Sequence, residues 1–163
     1  MIILDKNLYI KENELIERVD TLKNAQDKFL IMATYYGFKT VKAEDIYNIK
    51  VSDVDFEKNI IYYAGYTMKM NDYFKKITKE AIEQTEYERL VLAGNLQDTY
   101  KLNMESEYVI KPKPFSFNNY GIDPLKTSGG KTRFSILKSI LGLEELTFNS
   151  LGSSKIIEDL LNI

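Results

Sequence analysis

Two stretches of this sequence hold the residues that could act on a phosphate. The first is Glu144-Glu145-Leu146-Thr147-Phe148-Asn149-Ser150-Leu151-Gly152-Ser153-Ser154-Lys155-Ile156, a turn that feeds an apolar helix. A loop entering a helix presents free backbone N–H groups and positive partial charge, so it is a natural cradle for an anion. What the turn lacks is a base and a guanidinium: between Thr147 and Ser154 it offers hydroxyls, one amide and a glycine. The second stretch runs from 111 to 138. Its cations are Lys111, Lys113, Lys126, Lys131, Arg133 and Lys138, and its one acid is Asp123, a net +5 in a chain whose formal charge is −2. Phe115, Phe117, Tyr120 and Phe134 are interleaved with those cations. That mixture suits a surface that meets phosphates with lysine while its aromatics anchor the loop or stack. It equally suits a solvated loop whose aromatics turn into the core.

Composition narrows the chemistry further. The chain has no cysteine, which removes disulfides, thiol nucleophiles and thiolate metal sites, and no histidine, which removes the commonest general base and transition-metal ligand. No metal or cofactor is expected. Gly129-Gly130-Lys131-Thr132 invites comparison with a nucleotide-binding P-loop, but the required earlier glycine is replaced by Pro124 or Leu125 and no buried strand precedes it. At 163 residues, 44% of them hydrophobic and with no apolar run long enough for a membrane span, one domain over 1–163 with a full core is expected. The start, Met1-Ile2-Ile3-Leu4-Asp5-Lys6, lacks the features of a secretory signal, so the expected location is the cytoplasm. A pI near 5.4 argues against indiscriminate nucleic-acid binding, although charge acts by face rather than by sum.

The elements that must position these residues follow from periodicity. Leu15, Ile16, Val19 and Leu22 form one helical stripe. Residues 25–36, with Phe29, Leu30, Met32, Ala33 and Tyr36, read as a central core helix stopped by Gly37. A turn and short helix fill 38–49. Residues 59–63 and 66–69 read as a hairpin around Ala64-Gly65. A helix follows over 71–84, with Tyr73, Phe74, Ile77, Ala81 and Ile82 on its apolar face, then a second short helix over 87–93. Residues 100–107 read as polar connection and Tyr108-Val109-Ile110 as a short strand ended by Pro112 and Pro114. Thr127 or Ser128 is expected to cap a helix through Phe134, Leu137, Ile140 and Leu141 to Gly142. The last helix carries Leu151, Ile156, Ile157, Leu160 and Leu161.

Two phrases in this framework resemble the catalytic domain of tyrosine recombinases, the phage integrase family. The family's Thr-x-His-x-Leu-Arg-x-Ser/Thr box is matched at Thr147, Leu151 and Ser154, with Asn149 in place of its histidine and Gly152 in place of its arginine. Val51-Ser52-Asp53-Val54-Asp55, followed by Asn59-Ile60-Ile61, is similar to the family's Ser-Asp-Ile-Asp phrase and the strand after it. Where the family has its first arginine, two after a glycine, this chain has Lys39, and after three extra residues Asp45 takes the acidic position. A lysine keeps the charge without the fork that clamps two phosphate oxygens. The hairpin turn lacks the family's lysine, leaving Lys69 as the nearest candidate.

The resemblance implies an α+β, mainly helical fold with a small antiparallel sheet, lacking the family's amino-terminal DNA-binding domain and its nucleophile segment; no tyrosine follows Tyr120. The lengthened 37–45 segment and the replacements together resemble the recombinase-derived repressors of SPbeta-type phages. The function this implies is a non-catalytic DNA-binding transcriptional regulator, or a fragment of one, with double-stranded DNA as partner and Lys111, Lys113, Lys126, Lys131, Arg133 and Lys138 as contacts. An alternative is a protein-interaction or self-association module that presents loop 115–120. A fragment of an active integrase is the third reading, and it conflicts with Asn149 and Gly152.

Overall fold

A computed structural model of the chain describes residues 9–37, 42–90 and 98–161. The described chain begins with α1 (Glu12–Val19), which has Glu12 and Glu14 in its first turn and Arg18 in its last, the arrangement that complements a helix dipole. Its apolar stripe is buried through Leu15 and Val19. Next, α2 (Ala25–Tyr36) is covered on every side: Phe29, Leu30, Met32, Ala33 and Tyr35 have no exposed surface, and α3, α4, α5 and α6, described below, all touch it. The broad apolar coverage read from the sequence is that of a helix with neighbours all round. Each such Leu or Phe contributes roughly 1.5–3 kcal/mol by leaving water. The helix ends at Gly37, which keeps a right-handed φ of −77°.

After α3 (Ala43–Tyr47) a 3₁₀ turn over Val51–Asp53 leads into a three-stranded antiparallel sheet of β1 (Val54–Asp55), β2 (Ile60–Tyr63) and β3 (Tyr66–Lys69), in that order. The expected hairpin is present, with Tyr63 opposite Tyr66 and the turn residues Ala64 and Gly65 at φ 46° and 80°. Two positive φ values are what a two-residue turn needs to match the strand twist, and glycine takes its half without strain. Helix α4 (Asp72–Glu83) follows, capped by Asn71, whose side chain accepts from the Phe74 amide at 2.8 Å. It lays Phe74 on Phe29 with ring centroids 5.7 Å apart.

The next elements differ from the sequence reading. Tyr87 and Glu88, at the start of the helix expected over 87–93, belong instead to β4 (Glu86–Glu88), which pairs with β5 (Thr99–Lys101), whose Tyr100 and Lys101 fall in the stretch read as connection; residues 91–93 lie outside the described residues. Tertiary contacts override local propensity here: Asn24 donates to the Glu88 carbonyl at 2.7 Å and accepts from its amide at 2.9 Å, and Tyr87 stacks on Tyr100. Residues 108–110 form no strand; Tyr108 makes an isolated bridge to Lys50, and buried Val109 and Ile110 join the core.

Helix α5 (Thr127–Leu141) has Lys126 at its N-cap without a side-chain cap, so neither Thr127 nor Ser128 plays that part; it ends as expected at Gly142, φ 68°. Arg18 closes that end, its Nη1 donating to the carbonyls of Leu141 at 2.8 Å and Gly142 at 3.1 Å. Helix α6 (Phe148–Leu161) packs on α2 and buries Leu151, Gly152 and Ser154, while Leu160 and Leu161 are exposed. The architecture is the mainly helical α+β fold with a small antiparallel sheet that the sequence implied. Among the described residues no helix is long and apolar enough to cross a membrane.

Candidate nucleic-acid interface

At the start of α6 the helix supplies its own cap. The Thr147 hydroxyl accepts from the Ser150 amide at 3.0 Å, and the Ser150 hydroxyl accepts from the Thr147 amide at 2.7 Å. This reciprocal pair is a capping box built from two hydroxyls, and it occupies donors that a phosphate would otherwise meet. Asn149 is exposed, with its carbonyl accepting from the Ser153 hydroxyl at 2.8 Å. Gly152 is buried against the body of the protein. Ser154 is fully buried; its hydroxyl accepts from the Ile10 amide at 3.1 Å and lies 2.9 Å from the Ser150 carbonyl, so this matching position of the box serves packing.

The sheet contributes no compensating cation. Asp45, in the first turn of α3, accepts from the Lys42 amide at 3.0 Å and so caps that helix. It also lines an open depression of about 520 Å³ with Asn48, Asp53 and the β2–β3 turn. Among the described residues, two carboxylates and no lysine line that depression, an arrangement that disfavours phosphate. Lys69 is exposed on β3 opposite Ile60 and is not part of this lining. Lys39 lies outside the described residues. Several tyrosines are held away from ionisation: burial pushes the Tyr63 hydroxyl up to about 12, and burial followed by the carboxylates of Glu12 and Asp20 raises Tyr36 and Tyr73.

The basic segment divides into an interior half and a surface half. Lys111 and Arg133, expected to meet DNA, are buried, with 1% and 8% of their surface exposed, and that expectation is corrected for both. The Lys111 ammonium donates to the Tyr108 carbonyl at 2.7 Å, its amide donates to Gln26 Oε1, and burial lowers its pKa. The Arg133 guanidinium lies 4.6 Å from the Tyr87 ring centroid, and the Tyr87 hydroxyl in turn donates to the completely buried Asp27. Burial opposes the Arg133 charge, but Tyr87 and Asp27 outweigh it and hold the group above its ordinary value. Burial pushes the Asp27 carboxyl up, against the Arg133 charge and donors from Tyr87 (2.9 Å) and Asn24 (3.0 Å). Among the described ion pairs none joins Arg133 to Asp27, so the two charges act on each other through the core without direct contact. One turn earlier, Gly130 lets α5 reach Tyr47: a Cβ there would stand 2.2 Å from its ring.

Lys113, Lys126, Lys131 and Lys138 remain at or near the surface. Lys138 is engaged, donating to the Leu146 carbonyl at 2.7 Å. Lys113 and Lys126 join an alternating column of rings and cations. It begins at Arg133 on Tyr87, which stacks on Tyr100 at 5.2 Å; Lys113 sits 5.4 Å from both Tyr100 and Phe115; Phe115 stacks on Phe117 at 5.3 Å; and Lys126 covers Phe117 at 5.3 Å. Attraction between cations and ring faces runs through the column from the core to solvent.

The outer part of the column belongs to a loop fixed by Asn118. This buried side chain accepts from the amides of Phe115 (2.9 Å) and Gly121 (2.8 Å) and donates to the Lys113 carbonyl (2.7 Å). Asn103 donates to the Tyr120 carbonyl at 2.8 Å. Together these bonds hold Asn119 and Tyr120 at φ 54° and 53°, a left-handed geometry that persists in non-glycine residues only when the surroundings enforce it. The loop therefore displays Phe115, Phe117 and Tyr120 at 45%, 65% and 66% exposure.

The sequence held a signal for Arg133, because it sits on the α5 stripe Gly130, Phe134, Leu137 and Leu141 that faces inward. No comparable signal marks Lys111 except its neighbours Ile110 and Pro112, both buried. The column was missed because Tyr87 and Tyr100 were assigned to a helix and a connection, which do not face each other.

Comparison with known proteins agrees with this architecture. The family model described as MrpR, C-terminal catalytic domain, matches residues 9–160. No curated protein matches the sequence. Among solved structures the chain is similar to the crystal structure of XerA recombinase, with a TM-score of 0.64 at 19% identity over 94% of this chain. It spans about half of that protein, 51% of its length.

Proposed function

The chain belongs to the MrpR C-terminal catalytic domain family, and on that premise we propose that it is a non-catalytic regulator that binds double-stranded DNA, like the recombinase-derived repressors of SPbeta-type phages. The observation that carries this reading is the start of α6, where the histidine and arginine positions of the recombinase box hold exposed Asn149 and buried Gly152. Transfer of a phosphoryl group to a tyrosine needs cations on the nonbridging oxygens and a proton donor for the leaving oxygen. Asn149 cannot act as an acid, and Gly152 has no side chain to offer from its buried position. The carboxylates of Asp45 and Asp53 near the hairpin turn add no positive charge. What supports DNA as the partner is the fold likeness to a protein named as a recombinase, together with the surface cations Lys113, Lys126 and Lys131.

The test uses a nicked suicide duplex that would trap a covalent intermediate, alongside anisotropy titration on an intact duplex. Binding without a covalent protein–DNA adduct is the expected result. An adduct would overturn the non-catalytic assignment, and no measurable association with duplex at low salt would overturn the DNA-binding one.

A further inference from the structure

Loop 115–120 is a fixed display of three aromatic side chains beside two lysines, and the outermost ring, Phe117, is 65% exposed with the Lys126 ammonium over it. Its other face is taken by Phe115, whose far side is covered in turn by Lys113. An exposed ammonium over a phenyl ring is held more weakly than a nucleobase stacked on the same ring. A base arriving at Phe117 can therefore displace Lys126, and the released ammonium stays within reach of the phosphate attached to that base. Tyr120 takes part in none of the ring stacks among the described residues and is two-thirds exposed, and its amide donates to the Phe115 carbonyl at 2.8 Å, which ties it to the same loop. From residue 112 to 131 the one acid is Asp123, against Lys113, Lys126 and Lys131. The loop needs no ordering on contact, because Asn118 and Asn103 already fix its backbone.

We propose that loop 115–120 is a stacking site for an unpaired nucleotide of DNA, with Phe117 and Tyr120 meeting the base and Lys113 and Lys126 moving from ring faces to its phosphates. The inference rests on the DNA-binding reading above and deepens it, adding a contact to an unstacked base beyond the duplex backbone. A protein partner would also value exposed rings, but it gives no reason for lysines over both Phe115 and Phe117.

The sequence contains no tryptophan, so Phe117→Trp places a single indole reporter in an already exposed position. Its emission is followed while a single-stranded oligonucleotide of about 16 nucleotides, long enough for one site, is added, and affinity is measured separately by anisotropy on single-stranded and duplex DNA. Quenching on binding is expected, with Phe117→Ala weakening the single-stranded complex about 5- to 150-fold, the range of one base stack. An Ile140→Trp control, on the last turn of α5, is expected to keep its emission. Binding of DNA without quenching, and with Phe117→Ala equal to the parent, overturns the stacking site while leaving the DNA reading intact. If Phe117→Ala instead loses self-association in sedimentation with DNA affinity unchanged, the loop is a protein contact and the proposal is likewise overturned. Absence of binding to either DNA form overturns both readings.

Discussion

Arg133 and Lys126 stand at the two ends of one column of aromatic rings, seven residues apart in sequence, and do opposite things. Arg133 is enclosed over the Tyr87 ring, and Tyr87 and Asp27 sustain its charge inside the protein. Lys126 is exposed, lies over Phe117 and has no carboxylate partner among the described ion pairs. A run of like charges in a sequence is thus no single surface. Whether each cation faces a helix stripe or a loop decides if it organises the core or remains available to a phosphate.

Breaking the inner end should have the largest effect. Arg133→Ala empties a buried position, removes the cation over Tyr87 and takes away the charge that favours the ionised Asp27 carboxyl, and is expected to cost roughly 2–5 kcal/mol in denaturant unfolding. Arg133 Nη1 and Gln26 Nε2 are buried without partners, so the network is incompletely satisfied as it stands. The double replacement Asp27→Leu with Arg133→Met should accordingly lose less than Arg133→Ala alone. A double variant as unstable as the sum of its single changes would show that the two groups do not interact.

Next in size is the contact that brings α5 to this place. Gly130→Ala puts a methyl 2.2 Å from the Tyr47 ring, and overpacking of this kind costs about 1–3 kcal/mol. Tyr47→Ala should be destabilising alone yet relieve the Gly130→Ala clash in combination, a coupling readable from thermal or chemical unfolding of the four-variant cycle.

These two predictions concern parts of the fold that the sequence revealed unequally. Helices α2 and α4 and the β2–β3 hairpin were legible because strong signals agreed: a long apolar run closed by Gly37, an Asn71 cap before a 3.6-residue stripe, and Ala64-Gly65 between β-prone segments. Strands β4 and β5 were not, because three residues carry no measurable period and their pairing depends on Asn24, more than sixty residues from Glu88. Helix α6 was legible as an apolar stretch, but which face it buries was not: Leu160 and Leu161 are exposed while Gly152 and Ser154 are inside. In the candidate interface, the replacements at Asn149 and Gly152 could be read directly, whereas the inward turn of Lys111 and Arg133 required the tertiary arrangement.

Lys111 offers a smaller and more specific probe of the interior half. Its pKa is lowered by burial from the ordinary 10.5, so the native protein binds fewer protons than the unfolded chain between the lowered value and 10.5. Stability should therefore rise with pH through that interval, the lysine penalty being fully present below it. Lys111→Met removes this slope. The net change at neutral pH is expected to be only of order 1 kcal/mol, because the buried charge disappears together with its hydrogen bond to the Tyr108 carbonyl. Urea unfolding across the alkaline range would sink the assignment if parent and variant kept parallel profiles.

The smallest effect belongs to the outer end and sharpens the comparison most directly. If Lys126 and Lys131 neutralise duplex phosphates, replacing either by alanine releases one fewer counterion and lowers the salt slope of log K by roughly 0.9. Between 50 and 200 mM salt that is a difference of only about 3- to 4-fold in affinity for each lysine. Site preference should hardly move, since phosphate contacts position a protein without reading bases. Lys111→Met must leave the slope unchanged, because its ammonium already donates to Tyr108 and only 1% of the residue is exposed. Anisotropy titrations at several salt concentrations separate the two classes of lysine. A parental slope in both Lys126→Ala and Lys131→Ala would remove this face from the DNA contact, and an altered slope in Lys111→Met would mean that the interior cation is reached by DNA after all.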